Sequence, residues 1–182
     1  GCVFRAFNKE TGDGVVMKRM YARTEALAEA GKREVYFGEG IPSHPCVVHF
    51  VEHFYRSESS ELWLVFRDHG KSLRQLMYVS TRTSEDADDP TTASVIFSPS
   101  QLWFKMRRQS SYPTSSASNP PSPPAKMFRK ILHDILSAAA HLQKNGIIHR
   151  DIKPSNVFCT DLSLDDNENL ENVQCVLGDF SS

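Results

Sequence analysis

The pattern of hydrophobic and polar positions predicts strands in the first part of the chain. Residues 1–7 and 14–20 carry aromatic and β-branched side chains, and the turn-rich stretch 8–14 between them predicts a β-hairpin. Residues 47–55 and 62–66 are a second pair of strand-like runs, joined by a serine-rich turn. An antiparallel sheet is therefore expected here.

Helical spacing marks three other stretches. Residues 24–38 favour a helix because alanine and glutamate are good helix formers, Thr24 can cap the first turn, and glycines follow at the end. A short helix capped by Ser72 is expected over 72–78. Residues 126–144 have the clearest pattern. The apolar side chains predicted to share one face of that helix are Phe128, Ile131, Leu132, Ile135, Ala139 and Leu142.

Residues 80–125 have the weakest pattern of hydrophobic and polar positions, and no clear helix or strand is predicted there. Residues 80–90 are polar and acidic, and an apolar patch around Trp103 follows. Residues 109–125 are rich in serine and proline and cannot bury enough apolar surface to offset their ordering entropy, so we expect disorder there. Docking of the Trp103 patch on the remainder of the protein is the favoured interpretation, and binding of a partner is the alternative.

Composition narrows the functional classes. The chain has 182 residues, 40% hydrophobic and 24% charged, with a net charge of -1, which is ordinary for a soluble protein. Because there is no basic excess, a nucleic-acid partner is not indicated, and the short apolar runs predict no membrane span. The four cysteines are far apart in sequence, which favours free thiols in a reducing, cytoplasmic or nuclear compartment.

The most informative stretch of the chain is residues 149–156. A carboxylate that orients a hydroxyl, a cation, and an amide ligand for magnesium are the parts that phosphoryl transfer needs, and Asp151, Lys153 and Asn156 supply them in that order. A polar surface loop after a helix is the plain alternative. The stretch resembles the catalytic loop H-R-D-x-K-x-x-N of eukaryotic protein kinases.

Other motifs of that family stand in the expected order. Val15–Lys18 resembles the strand motif V-A-I-K, His44-Pro45 the connection after the family's helix C, and Asp179-Phe180-Ser181 the D-F-G magnesium motif. Each charged residue taken alone could be a solvated surface group. The resemblance implies that Asp151, Lys153 and Asn156 are catalytic and that Asn156 and Asp179 bind the metal. It also implies cofactor-binding roles for Gly1, Val3, Val16, Lys18, Glu34, Arg67, His69 and Phe158.

The resemblance implies an α+β fold, with an antiparallel small lobe carrying helix C and the start of a mainly helical large lobe. The expected division is a partial small lobe over 1–66, a hinge and short helix over 67–79, the insertion over 80–125 and the large lobe over 126–182. The position of Lys153, two residues after Asp151, resembles that in serine/threonine kinases rather than tyrosine kinases. The implied cofactors are ATP and Mg²⁺, the partner is a protein substrate, and there is room for a regulatory partner at helix C.

Two other functional classes remain open at this point. One is a pseudokinase that serves as a nucleotide-binding scaffold, and the other is a small-molecule kinase of similar fold. Lys153 and Pro154 favour protein substrates, and the retained charged residues favour catalysis. This 182-residue piece alone is expected to be inactive and to expose apolar surface.

Departures from the family pattern produce two further expectations. Gly38 should leave an empty space beside Phe180 unless Phe37 turns in. The Lys18–Glu34 pair should therefore form only part of the time. Gly38→Leu should then raise basal activity. Ser181 replaces glycine and should restrict the backbone without preventing metal binding by Asp179.

Overall fold

The computed structural model describes residues 2–21, 24–83, 94–100, 123–160 and 173–180. Within them, four strands form an antiparallel sheet in the order β1-β2-β4-β3. These strands are β1 (Cys2–Phe7), β2 (Gly14–Tyr21), β3 (Phe50–Arg56) and β4 (Glu61–Arg67). The predicted hairpin is present, because β1 pairs with β2.

Helix α1 (Glu25–Gly40) lies against this sheet. The Thr24 side chain accepts a hydrogen bond from the Leu27 N–H and caps the first turn, as its position predicted. The helix runs through Gly38 to Gly40, so the predicted end at Gly38 is slightly early. Its buried residues are Gly31 and Glu34. The helix approaches the sheet closely here, since a Cβ at Gly31 would lie 2.6 Å from Leu62 Cδ2.

A second group of elements follows the four-stranded sheet. Strand β5 (Lys71–Ser72) leads into the short helix α2 (Leu73–Met77), where Ser72 and Gln75 form a capping box. Helix α3 (Pro123–Lys144) packs against β9 (Gln174–Leu177), and β5, β8 (Val157–Thr160) and β9 form an antiparallel three-stranded sheet.

A hairpin that the sequence did not predict includes the first part of the expected insertion. Strand β6 (Tyr78–Thr83) pairs with β7 (Ser94–Pro99) from Tyr78↔Pro99 to Thr83↔Ser94. Polar threonines and serines hid the β-branched character of β6 in the sequence pattern. Helix α3 begins at Pro123, so 123–125 are helical rather than disordered. The first half of the apolar patch, residues 95–97, lies in β7, whereas its second half around Trp103 and residues 109–122 lie outside the described residues.

The buried face of α3 is rotated from the predicted one. Its buried residues are Met127, Ile131, Asp134, Ala138 and Leu142. By contrast, Phe128 is 49% exposed and Leu132 is 42% exposed. The reason is Asp134, which is buried in an ion pair with Lys130 at 2.6 Å. The hydrophobic pattern treats aspartate as a solvent-facing residue, so it predicts the wrong buried face for this helix.

The space beside Gly38 is filled, so the void that was expected unless Phe37 turned in is not present. A Cβ at Gly38 would lie 2.5 Å from the ring of Phe50. Phe50 in turn packs against Phe66, with ring centroids 5.5 Å apart. Phe37, one residue earlier, does turn towards Phe180, at a centroid distance of 6.4 Å. The argument for Gly38→Leu as an activating change therefore fails.

None of the helices in the described ranges is long and apolar enough to cross a membrane.

Candidate functional site

His149 fixes the loop that carries the candidate catalytic residues. It follows α3 after a turn in which Gly146 adopts a φ of 74°, a conformation that favours glycine. His149 Nδ1 accepts a hydrogen bond from the Asp151 N–H at 3.3 Å, so Nε2 carries the proton and donates to the Gly178 carbonyl at 3.0 Å. The loop is thereby joined to the segment that leads into Asp179.

Asp151, Lys153 and Asn156 form one cluster. Lys153 Nζ donates to Asp151 Oδ2 at 2.6 Å. Asn156 Nδ2 donates to the same oxygen at 3.1 Å and to the Asp151 carbonyl at 3.0 Å. With its nitrogen turned towards Asp151, Asn156 directs its amide oxygen elsewhere, which is the orientation a metal ligand requires. The three predicted catalytic residues are thus in mutual contact.

Lys18 links two distant parts of the chain. Its Nζ lies 2.8 Å from Glu34 Oε1 and 3.0 Å from Asp179 Oδ1. Burial raises the pKa of Glu34, and Lys18 opposes that rise. For Lys18 burial acts to lower the pKa, but the charges of Glu34 and Asp179 outweigh burial and raise it. Lys18 is therefore a firmly charged ammonium group between two carboxylates.

Phe180 lies in a column of aromatic rings behind the charged residues. Its ring is 5.0 Å from that of His149 and 6.4 Å from that of Phe37 on α1. Asp179 beside it has a φ of 66°, a left-handed conformation that aspartate tolerates better than most side chains. The column connects the helix that carries Glu34 to the loop that carries Asp151.

A cavity of about 720 Å³ opens in front of these charges. Most of the predicted cofactor and metal residues line it: Val3, Val16, Lys18, Glu34, Arg67, Asn156, Phe158 and Asp179. Gly1 lies outside the described residues. His69 is not part of the lining, and its half-buried ring accepts a hydrogen bond at Nε2 from the His49 N–H at 3.4 Å. The role implied for His69 uses its backbone N–H and stays a prediction. Burial lowers the pKa of His69.

Comparison with known proteins agrees with this geometry. A family model described as the protein kinase domain matches residues 1–180. The chain belongs to the protein kinase family. It is also similar to a probable myosin light chain kinase of Dictyostelium discoideum, with 51% identity over 37 residues. That match covers 20% of this chain and 12% of the relative.

The cavity of this kinase domain fits a nucleotide with a divalent cation. Its volume lies within the range of small-molecule sites, and its walls combine the apolar side chains of Val3, Val16 and Phe158 with the charge of Lys18. Asn156 and Asp179 offer amide and carboxylate oxygens, which suit Mg²⁺. Among the described residues, no group of three or more His, Cys, Asp or Glu could hold a metal. The remaining ligands of such an ion would be phosphate and water oxygens.

Arg5 was not identified from the sequence, yet it fixes the wall of the cavity. Its Nη2 donates to the Gly70 carbonyl at 2.6 Å, and its Nε lies 3.2 Å from Asp68 Oδ2. Asp68 Oδ1 in turn accepts a hydrogen bond from the Gly70 N–H at 2.8 Å. Gly70 needs to be glycine, since its φ is 85° and a Cβ would lie 2.6 Å from the Cys159 carbonyl oxygen. That glycine was the only signal of a constrained hinge.

Proposed function

We propose that this protein transfers the γ-phosphate of ATP to a serine or threonine hydroxyl of a protein substrate. The observation that carries the proposal is the set of contacts around Asp151. One carboxylate oxygen receives hydrogen bonds from Lys153 and Asn156. Asn156 also lines the cavity that contains Lys18 and Asp179.

Asp151 is the group that would orient the attacking hydroxyl and accept its proton. The hydrogen bonds from Lys153 and Asn156 hold its carboxylate in one orientation, which lowers the entropic cost of positioning the substrate. Lys153 then brings a positive charge to the place where the phosphoryl group moves. Its position two residues after Asp151 resembles serine/threonine kinases, which supports hydroxyl groups of serine and threonine as acceptors.

Lys18 would bind the phosphates from the opposite wall. Because Glu34 and Asp179 hold its ammonium group between them, its charge is already in place before the nucleotide arrives. Asn156 and Asp179 would hold a divalent ion, and such an ion neutralises charge on the transferred phosphates. Phosphoryl transfer depends mainly on this kind of positioning and electrostatic stabilisation.

The test is a phosphorylation assay on the full-length protein with labelled ATP and matched serine, threonine and tyrosine peptides. We expect label on serine or threonine only. Asp151→Asn and Lys18→Met should each lower the rate by orders of magnitude, roughly a hundredfold or more. Lys32→Met is the matched control, because Lys32 makes an exposed ion pair with Glu29 outside the site; its rate should be unchanged.

The alternative is a scaffold that binds nucleotide without transferring phosphate. That function would be favoured by saturable ATP binding, weakened by Lys18→Met, in a protein that phosphorylates none of the peptides. Transfer to tyrosine, or to a small metabolite and no peptide, would contradict the proposed substrate class while retaining phosphoryl transfer.

A further inference from the structure

Two thiols face each other across the strands that flank the catalytic centre. Cys159 on β8 and Cys175 on β9 are direct partners in the antiparallel ladder, and their sulfur atoms lie 2.8 Å apart. Opposite residues in such a ladder have Cα atoms about 4.5–5.5 Å apart. Disulfides join Cα atoms separated by about 4.4–6.8 Å. The backbone therefore already has the spacing that a bond between these sulfurs requires.

The position of the pair connects it to the site. Strand β8 begins directly after Asn156, and β9 ends just before Gly178 and Asp179. The Gly178 N–H donates to the Asn156 carbonyl at 2.9 Å, so the segments that carry the two predicted metal ligands already share one backbone contact. A covalent link between β8 and β9 would hold the same two segments together a few residues away.

We propose that Cys159 and Cys175 are a modification site that peroxide converts into a reversible disulfide joining β8 to β9. In the first step one of the two sulfurs, as a thiolate, attacks one oxygen of hydrogen peroxide, the O–O bond breaks, and the other oxygen leaves as hydroxide, which is protonated to water. In the second step the sulfur of the other cysteine attacks the resulting sulfenic acid. Hydroxide leaves, takes the proton of that second thiol and departs as a second water. Two thiols and one peroxide thus give one disulfide and two waters.

The burial of the two thiols restricts which oxidants can reach them. Both residues are buried, at 3% and 1% exposure. A small oxidant such as hydrogen peroxide can reach them more readily than a bulky disulfide such as oxidised glutathione.

Oxidation of the full-length protein tests the proposal. A Cys2→Ser background removes the exposed thiol, and Cys46→Ser on that background is the matched control for a buried cysteine of the same core. After hydrogen peroxide and alkylation, peptide mass spectrometry should find residues 159 and 175 cross-linked. We expect the loss of two titratable thiols, recovery with dithiothreitol, and a raised thermal midpoint in the oxidised form. Cys46→Ser should retain the cross-link, and Cys159→Ser should lose it.

Three results would overturn the proposal. The first is a wild-type protein whose Cys159 and Cys175 both remain alkylatable after peroxide treatment that oxidises Cys2. The second is a cross-link that includes Cys46 in place of either partner. The third is a 159–175 cross-link that appears only when the protein is oxidised in denaturant. All three are measured on wild-type protein, so they stand even if a cysteine variant fails to fold.

Discussion

Glu34 is a carboxylate almost wholly removed from solvent that depends on Lys18 for charge balance. Lys18→Met would leave this charge buried without its partner, and we expect a loss of about 3 kcal/mol in the free energy of unfolding. Adding Glu34→Gln should recover much of the loss, because the buried charge disappears. Urea unfolding of the single and double variants measures both effects.

The pH dependence of the Lys18→Met variant provides a second test. Burial raises the pKa of Glu34, and without Lys18 it should rise further. A carboxyl whose folded pKa is raised adds stability at low pH and loses it as the pH rises through that pKa. The deficit relative to wild type should therefore shrink as the pH is lowered towards the ordinary carboxyl pKa of 4.5. A deficit that does not change with pH would argue against a charged Glu34 as its cause.

His44 is a residue whose protonation opposes folding. Burial and the facing His141 ring, stacked at 4.5 Å, lower the pKa of His44 below its ordinary value of 6.5. Its Nδ1 also accepts a hydrogen bond from the Cys46 N–H at 3.1 Å, which protonation would remove. Because the unfolded chain takes up the proton first, this stability is present above pH 6.5 and is lost as the pH falls towards the lower folded pKa.

We expect His44→Asn to reduce this acid sensitivity, because asparagine keeps an acceptor near the Nδ1 position but does not titrate. Thermal midpoints across a pH series measure the slope for each protein. Some slope should remain, since burial also lowers the pKa of His69. His53→Asn is the control, because His53 pairs with Glu39 on the surface. An unchanged slope in His44→Asn would show that another group is responsible.

At the scale of elements, the contact between α1 and β3 depends on the absence of a side chain at Gly38. Alanine there would place its Cβ 2.5 Å from the Phe50 ring, which is already packed on Phe66. We expect Gly38→Ala to cost about 1–3 kcal/mol, as overpacked cores do, and Phe50→Leu to restore part of the loss in the double variant. The free energy of unfolding, measured with denaturant, and the phosphorylation rate should both fall in Gly38→Ala and both partly recover in the double variant.

Gly40 is a matched control on the same helix. No atom lies within 4 Å of a Cβ built at Gly40, so alanine meets nothing there. Gly40→Ala should be neutral or stabilise the helix by up to about 1 kcal/mol. A Gly38 variant that gains stability or basal activity would show that Phe50 moves aside at little cost.

Helix α3 holds β9 through one buried carboxylate. Asp134 Oδ2 accepts a hydrogen bond from the Cys175 N–H at 3.1 Å. Burial opposes ionisation, but hydrogen bonds from Lys130 and Cys175 prevail and lower the pKa of Asp134. Asp134→Ala would leave the buried N–H without an acceptor, at a cost of about 1–3 kcal/mol. Asp134→Asn keeps an acceptor and should lose less. Faster amide exchange at Cys175 in the alanine variant alone would identify the lost bond.

At the scale of the whole molecule, the features that could be predicted from the sequence are those that short motifs determine. Lys18 and Glu34 are in contact, as the motifs predicted, because the chemistry of phosphoryl transfer restricts which residue types can stand at those positions. The contact of Lys18 with Asp179 was not predicted. Asp151 and Asn156 lie in a single loop whose spacing is local. Such features need little knowledge of how distant elements pack.

What the sequence could not predict depends on register and rotation between distant elements. Phe50 fills the space at Gly38 because of the register of β3 on β4, and Cys159 meets Cys175 because of the register of β8 on β9. A shift of one residue would turn either side chain to the other face of its sheet. The buried face of α3 was misplaced for a related reason, since the buried carboxylate of Asp134 accepts a hydrogen bond from the backbone of β9.

Helix α3 presents a row of apolar side chains to solvent over the described part of the chain. Phe128, Leu132 and Leu136 recur at every fourth position and are 49%, 42% and 66% exposed. A continuous apolar row of this kind favours association, and we expect the 182-residue chain to self-associate through it. Leu132→Glu with Leu136→Glu should give a monomer with an unchanged thermal midpoint, because both side chains already lie largely outside the core.

Sedimentation velocity over a concentration series measures the association. Phe7→Glu is the control, since Phe7 is 77% exposed but lies at the end of β1, away from α3. If general hydrophobicity caused the association, removing the exposed Phe7 ring would also weaken it. Because the row on α3 buries several neighbouring side chains at once, we expect only the double substitution to abolish association. Equal effects of the two changes would show that the row is not the contact.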